Sequence, residues 1–224
     1  MQFFVLPVQG AAFTIDAAIT AIVIAGWAAR DAAAVQHHID ELAALGVKPP
    51  RTTPLFYRVG ANLLTTADHI DLAGNTSTGE AETVLIAHEG ALYVGLGSDH
   101  TDRAAEAAGV TWSKQMCPKP VSPTLWRHAD VAGHWDQLIL SARVRQDNIW
   151  RDYQRATLAT LRTPADLIAR HTGTLADGTT MFGGTPATIT PIAWADEFEA
   201  TLTDPVLHRQ LVCRYAMTAL PIAD

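Results

Sequence analysis

Glu80-Ala81-Glu82 and Asp99 are the residues whose types and spacing best suit chemistry in this chain. Residues two apart on a β-strand project from the same face, so Glu80 and Glu82 point together. The runs at 82–88 and 91–97 both have strand composition, and Glu89-Gly90 between them suits a two-residue hairpin loop. That turn sets Asp99 opposite Glu80, and cross-strand partners share a face at roughly 5 Å. Three converging carboxylates repel one another unless something neutralises them. A hard divalent cation with oxygen ligands does this well, and Mg²⁺ is the usual choice where a position stays open for substrate. A one-residue slip in register would turn Asp99 to the other face. The plainer alternative is a solvated strand face, or acids paired with Arg58 or Arg103.

A second pair lies on an N-terminal helix expected over 28–45, where His38 and Glu41 are three residues apart on adjacent sides of one ridge. A carboxylate beside a His fixes its tautomer and favours its protonated form, which is a general-base arrangement. Surface helices also carry such pairs with no role beyond solvation. Gly183-Gly184-Thr185-Pro186 suits close backbone approach to a ligand, with a hydroxyl on offer from Thr185, or else a tight structural turn. Ser98-Asp99-His100 holds triad residue types, but neighbours on a strand alternate faces and cannot converge. Gly95-Leu96-Gly97 lacks the third glycine of a dinucleotide loop, and no His/Cys spacing fits a structural zinc site.

The elements that must position these residues read as mostly β. Strands are expected within 2–15, over 19–25, 55–59, 136–144 and 179–182, and two more within 197–220 joined around Asp204-Pro205. The segment 148–161 is ambiguous and could be helical. Thr163-Pro164 opens a short helix, with Thr as N-cap and Pro at the first helical position. The 224 residues suffice for one large domain, and 48% of them are apolar. A net charge of −7 without a Lys/Arg cluster argues against nucleic acid. The apolar stretch between Asp16 and Arg30 is too short to span a bilayer, and no basic segment precedes it as in a signal peptide. Cys117 and Cys213 show no redox or metal spacing, so a reduced, cytoplasmic setting is expected.

Taken in order, these pieces resemble the fumarylacetoacetate hydrolase family, and within it a divergent, DUF2848-like subgroup without an assigned function. Gly26 to Asp31 stands near the place of the family's Gly-Arg-Asn-Tyr element, and His38-Ile-Asp-Glu41 matches its His-x-x-Glu. Pro54-Leu-Phe56 follows, then Glu80-Ala-Glu82 as the Glu-x-Glu pair. Ser98-Asp99-His-Thr-Asp-Arg103, Ser113-Lys114-Gln115 and Gly184-Thr185-Pro186 then match the aspartate element, the lysine element and the Gly-Thr-Pro loop. The Gly-Arg-Asn-Tyr stretch is rewritten here, and Lys-Ser-Phe has become Lys114-Gln115-Met116. Those departures bear on substrate identity and leave the acids intact.

The resemblance implies an α+β, mostly β fold, a mixed β-sandwich roll in a single domain over 1–224. An N-terminal strand and a possible lid helix would occupy 1–50, with a metal-binding β core over 51–224. It also implies a homodimer and one Mg²⁺ or Mn²⁺ on Glu80, Glu82 and Asp99. His38, Glu41 and Lys114 would be catalytic, and Arg30, Gly184 and Thr185 would bind a small carboxylic acid. The expected reaction is hydrolytic or decarboxylative C–C cleavage of a 2-oxo or β-diketo acid through a metal-stabilised enolate. Isomerisation or dehydration of a sugar-derived 2-oxo acid, or metal or small-acid binding without turnover, are the alternatives.

Overall fold

The computed structural model describes residues 1–44, 46 and 48–223, apart from the side chains of His38 and Leu42. Strands β1 (Gln2–Val5), β2 (Phe13–Asp16) and β3 (Ala21–Gly26) precede helix α1 (Ala32–Ala44). The helix starts later than its composition predicts. Trp27 takes a positive φ of 59°, and Ala29 bridges to Leu161, so the chain stays extended until Asp31. The Asp31 carboxylate then accepts from the amides of Ala33 and Ala34 and caps the helix.

Next come β4 (Leu55–Val59), β5 (Leu64–Thr65), β6 (His69–Ala73) and β7 (Ser77–Thr78), followed by the hairpin β8 (Ala81–His88) and β9 (Ala91–Ser98). Beyond it lie β10 (Thr101–Asp102), helix α2 (Val110–Gln115), β11 (Lys119–Pro120), β12 (Thr124–Arg127) and helix α3 (His128–Val131). The chain continues with β13 (Ile139–Gln146), β14 (Ile149–Thr157), helix α4 (Pro164–His171), β15 (Thr179–Phe182), β16 (Glu197–Asp204) and β17 (Arg209–Leu220). Two expectations need correction. Residues 132–137 form a 3₁₀ turn, so the strand expected from Asp136 begins at Ile139. The ambiguous segment 148–161 is chiefly strand β14, held in register against β13, rather than a helix.

Two mixed sheets form a sandwich. The larger runs β2-β1-β12-β9-β8-β15-β3-β4 and the smaller β14-β13-β16-β17-β6. Leu85, Leu96 and Trp126 of the large sheet pack against Phe198, Leu202 and Tyr215 of the small one. A second cluster of Ile22, Ile24, Val84, Ile86 and Phe182 covers the other face of the large sheet. Strands β3 and β8 are therefore buried on both faces, which is why they read as unbroken apolar runs. Strand β16 has one face buried and the other half-buried, and it alternates residue by residue. The fold is α+β and mostly β, as expected. Strand β3, from the first 50 residues, lies between β15 and β4 inside the large sheet.

Candidate metal centre

The hairpin adopts the register that its turn predicts. Ala81 pairs with Ser98, Glu82 with Gly97 and His88 with Ala91. Glu89 and Gly90 both take positive φ, 49° and 71°, as a two-residue turn with matching twist requires. The ladder extends one step past the strands, where the Asp99 amide donates to the Glu80 carbonyl at 3.0 Å. Glu80 and Glu82 thus flank the inward-facing Ala81, and Asp99 faces Glu80. One carboxylate oxygen from each acid lies within 4.8 Å of the others. Ser98 and His100 turn to the opposite side, as alternation demands. There Tyr215 joins them, with its hydroxyl donating to Ser98 Oγ at 2.8 Å and lying 2.9 Å from His100 Nδ1. Ser98 Oγ in turn accepts from the Glu80 amide at 3.1 Å, which ties the site to the core.

Positive charge surrounds the acids. Lys114, on α2, ion-pairs with Asp99 Oδ2 and stands 3.3 Å from Glu80 Oε2. Arg103 pairs with Glu80 Oε1 at 3.0 Å, so the sequence alternative of an acid paired with Arg103 is also realised. Burial opposes ionisation of Glu80, but Lys114 and Arg103 outweigh it and hold this carboxyl down at about 2. Glu82 behaves oppositely: burial, then repulsion from Asp99, pushes its carboxyl well above the ordinary range. Burial disfavours the Lys114 ammonium, yet Asp99, Glu80 and Glu82 more than offset this and raise its pKa. Lys114 is therefore a fixed cation and donor rather than a base.

The residues suit a hard divalent cation. The donor set is all oxygen, and Glu82 and Asp99 are 2% and 0% exposed. Asp99 Oδ1 is buried and accepts no hydrogen bond. The Lys119 ammonium stands 3.2 Å from that oxygen without hydrogen-bond geometry. The ion pair offsets part of the cost of burying this oxygen, and a metal ion is a further partner that suits it.

Other predicted residues divide into two groups. Gly184 belongs to the site: its amide donates to Glu82 Oε2 at 2.8 Å. Its φ is +92°, and a Cβ added there would lie only 2.7 Å from the Ala28 Cβ, so the position leaves room for glycine alone. Thr185 is half-buried beside it and accepts a hydrogen bond from Gln154. Arg30 is engaged elsewhere, by Asp136 and by the Leu161 carbonyl at 2.5 Å. Glu41 is exposed on α1 and lies 3.3 Å from His37. The His38 side chain lies outside the described residues.

Lys119 escapes sequence reasoning. It is fully buried, with its ammonium also donating to the carbonyls of His100 at 2.5 Å and Lys114 at 2.6 Å. It reaches Asp99 through the parallel pairing of β11 with β5, a long-range contact with no local sequence signal. Gln154, buried on β14, is the other residue without a motif; the only hint is a polar residue beside Tyr153 in a strand-like run.

The fold is shared with solved structures at low sequence identity. A proposed fumarylacetoacetate isomerase/hydrolase from Oleispira antarctica superposes with a TM-score of 0.66 at 16% identity, covering 96% of this chain and 99% of that one. A 2-hydroxyhepta-2,4-diene-1,7-dioate isomerase from Mycobacterium marinum gives 0.63 at 14% identity, over 93% and 77%. A 2-keto-3-deoxy-D-arabinonate dehydratase complexed with magnesium and 2,5-dioxopentanoate gives 0.60 at 13%, over 91% and 75%. No protein of curated function matches the sequence significantly. No described helix is long and apolar enough to cross a membrane. Residues 25–215 match the profile of DUF2848, described as a protein of unknown function, and the chain therefore belongs to the DUF2848 family, built on the fumarylacetoacetate hydrolase fold.

Proposed function

We propose that this chain is a divalent-metal-dependent enzyme acting on a small 2-oxo or β-diketo acid, cleaving a C–C bond by hydrolysis or decarboxylation. The observation that carries this reading is the convergence of Glu80, Glu82 and Asp99, with Asp99 Oδ1 buried and lacking a hydrogen bond. These three residues would hold Mg²⁺ or Mn²⁺, which accept the same carboxylates. When bound, such an ion supplies Lewis-acid polarisation of a 2-oxo acid's carbonyl. Lys114, protonated and pinned by Asp99 and Glu80, adds fixed positive charge where negative charge would develop on a substrate oxygen. Gly184 holds Glu82 in place, and Thr185 offers its hydroxyl to the substrate carboxylate. Arg30 would add a second anchor for that carboxylate on leaving Asp136. In hydrolysis, His38 with Glu41 would activate the attacking water, which needs α1 brought to the acids. A homodimer in the cytoplasm is part of the same proposal.

A second reading, isomerisation or dehydration of a sugar-derived 2-oxo acid, is favoured by the exposure of the Glu41 side chain on α1. The two separate in one screen of chelated protein against oxaloacetate, acylpyruvates and 2-keto-3-deoxy sugar acids, with and without Mg²⁺ or Mn²⁺. Metal-dependent C–C cleavage that is lost in His38→Ala supports the first. Metal-dependent turnover of a sugar acid, unchanged in His38→Ala, supports the second. No metal-dependent turnover on any of them contradicts both and leaves a binding protein.

A further inference from the structure

Gln154 sits in strand β14 at an irregularity in its pairing with β13. Ala142 pairs with Gln154, but Arg143 pairs with Asp152, so Tyr153 is the extra residue of a β-bulge. The bulge breaks the alternation of the strand, and both Tyr153 and Gln154 turn inward, 2% and 1% exposed. Without it, one of the two would face solvent.

The buried amide of Gln154 is fully used. Its Oε1 accepts from the Ala81 amide at 3.0 Å, between the two glutamates of the metal centre. Its Nε2 donates to Thr185 Oγ1 at 2.7 Å and to the Pro186 carbonyl at 2.7 Å. The Ala81 amide can only donate and the Pro186 carbonyl can only accept, so the orientation of the Gln154 amide is fixed by its partners. It follows that Thr185 Oγ1 receives a hydrogen bond from Gln154. Its own proton remains available to donate outward, from a side chain that is still half open to solvent.

We infer that Gln154 is a positioning residue that biases the Thr185 hydroxyl toward donating to a carboxylate ligand and ties it to Ala81, between Glu80 and Glu82. This rests on the metal reading above and goes beyond it by assigning the ligand-selecting role to a residue that touches neither metal ligand side chains nor substrate. A ligand carboxylate accepts from the Thr185 hydroxyl, while Gln154 fills one of the two lone pairs of that oxygen and leaves it a poorer acceptor for a ligand group that must donate.

Binding of oxalate to Mn²⁺-loaded protein, measured by calorimetry, tests the assignment. Gln154→Met removes the clamp at similar volume. Gln154→Glu keeps an acceptor for Ala81 and, protonated by its burial, can donate to only one of Thr185 and Pro186. Each is expected to weaken oxalate binding about tenfold, the scale of one hydrogen bond to a charged group. Thr185→Val should weaken it equally, and Thr185→Val combined with Gln154→Met should be no worse than either alone. Oxalate affinity within twofold of the parent in a folded Gln154→Met protein overturns the assignment, as do additive losses in the double variant. Should the Gln154 variants not fold, the parent decides: with diamagnetic Mg²⁺ in place of Mn²⁺, the Gln154 side-chain amide resonances shift on adding oxalate, and do not in Thr185→Val. No shift in the parent overturns the assignment. A parent that binds neither Mn²⁺ nor oxalate overturns the metal reading and this assignment together; a parent that binds both, with Gln154 variants unchanged, overturns the assignment alone.

Discussion

The β8–β9 hairpin and helix α1 both carry acids that the sequence singles out, and they present them in opposite ways. Glu82 and Asp99 are almost wholly buried, while the side chain of Glu41 is 57% exposed. In the hairpin each acid is fixed by a backbone or cationic partner: Gly184 on Glu82, Arg103 on Glu80, Lys114 on Asp99. On α1, Glu41 stands beside His37, itself exposed. Burial with compensation turns a carboxylate into a rigid ligand, whereas solvation leaves it interchangeable. The difference separates a site built into the fold from one that would have to be assembled.

Perturbing the hairpin should therefore be costly and perturbing α1 nearly silent. Asp99→Ala leaves Lys119 a buried cation without its counter-charge and Lys114 with Glu80 alone. It should lose about 3–5 kcal/mol of stability in urea unfolding as well as metal binding. A loss under about 1 kcal/mol would mean that water reaches these ammonium groups freely. Gly184→Ala is next: its positive φ and the contact with Ala28 should cost about 1–3 kcal/mol and loosen Glu82. Weaker metal affinity, alongside a lower melting temperature, is the expected pair of results.

Acidification of chelated protein sharpens the comparison further. Burial, with the charges of Lys119 and Arg103, holds His100 at about 3 rather than its ordinary 6.5. Unfolding lets it take a proton anywhere between those values, so its contribution is intact above about 6.5 and lost as pH falls toward 3. Glu80 has the same sign over a lower window, from 4.5 down to about 2. Glu82, raised instead, acts with the opposite sign. Melting temperature should fall between pH 6.5 and 4.5, and His100→Gln should flatten that limb. An unchanged slope in this variant would show that His100 is not the group responsible. The smallest effect is expected from Glu41→Gln, within about 0.5 kcal/mol of the parent and with unaltered Mn²⁺ affinity. A large loss of metal affinity there would place α1 at the acids already.

Much of the hairpin is legible in the sequence because its information is local. Glu89-Gly90 sets the turn, the turn sets the register, and the register brings Asp99 to Glu80. The Thr163 cap on α4, with its side chain accepting from the Asp166 amide, is local in the same way. Lys119 is not legible, because β11 reaches the site by pairing with a strand far away in sequence. Gln154 is hidden by the bulge, which breaks the two-residue period that would mark β14 as a strand. The start of α1 differs from the sequence expectation because Trp27 and the Ala29–Leu161 bridge, both tertiary features, override helix propensity.

Titration of chelated protein with Mn²⁺, followed by calorimetry or by loss of the free-ion EPR signal, tests the central claim most directly. One ion per chain in the parent, with binding lost in Glu82→Gln and in Asp99→Asn, is the predicted result. A parent that takes up no Mn²⁺, or an Asp99→Asn variant that binds it as tightly as the parent, would contradict the metal centre.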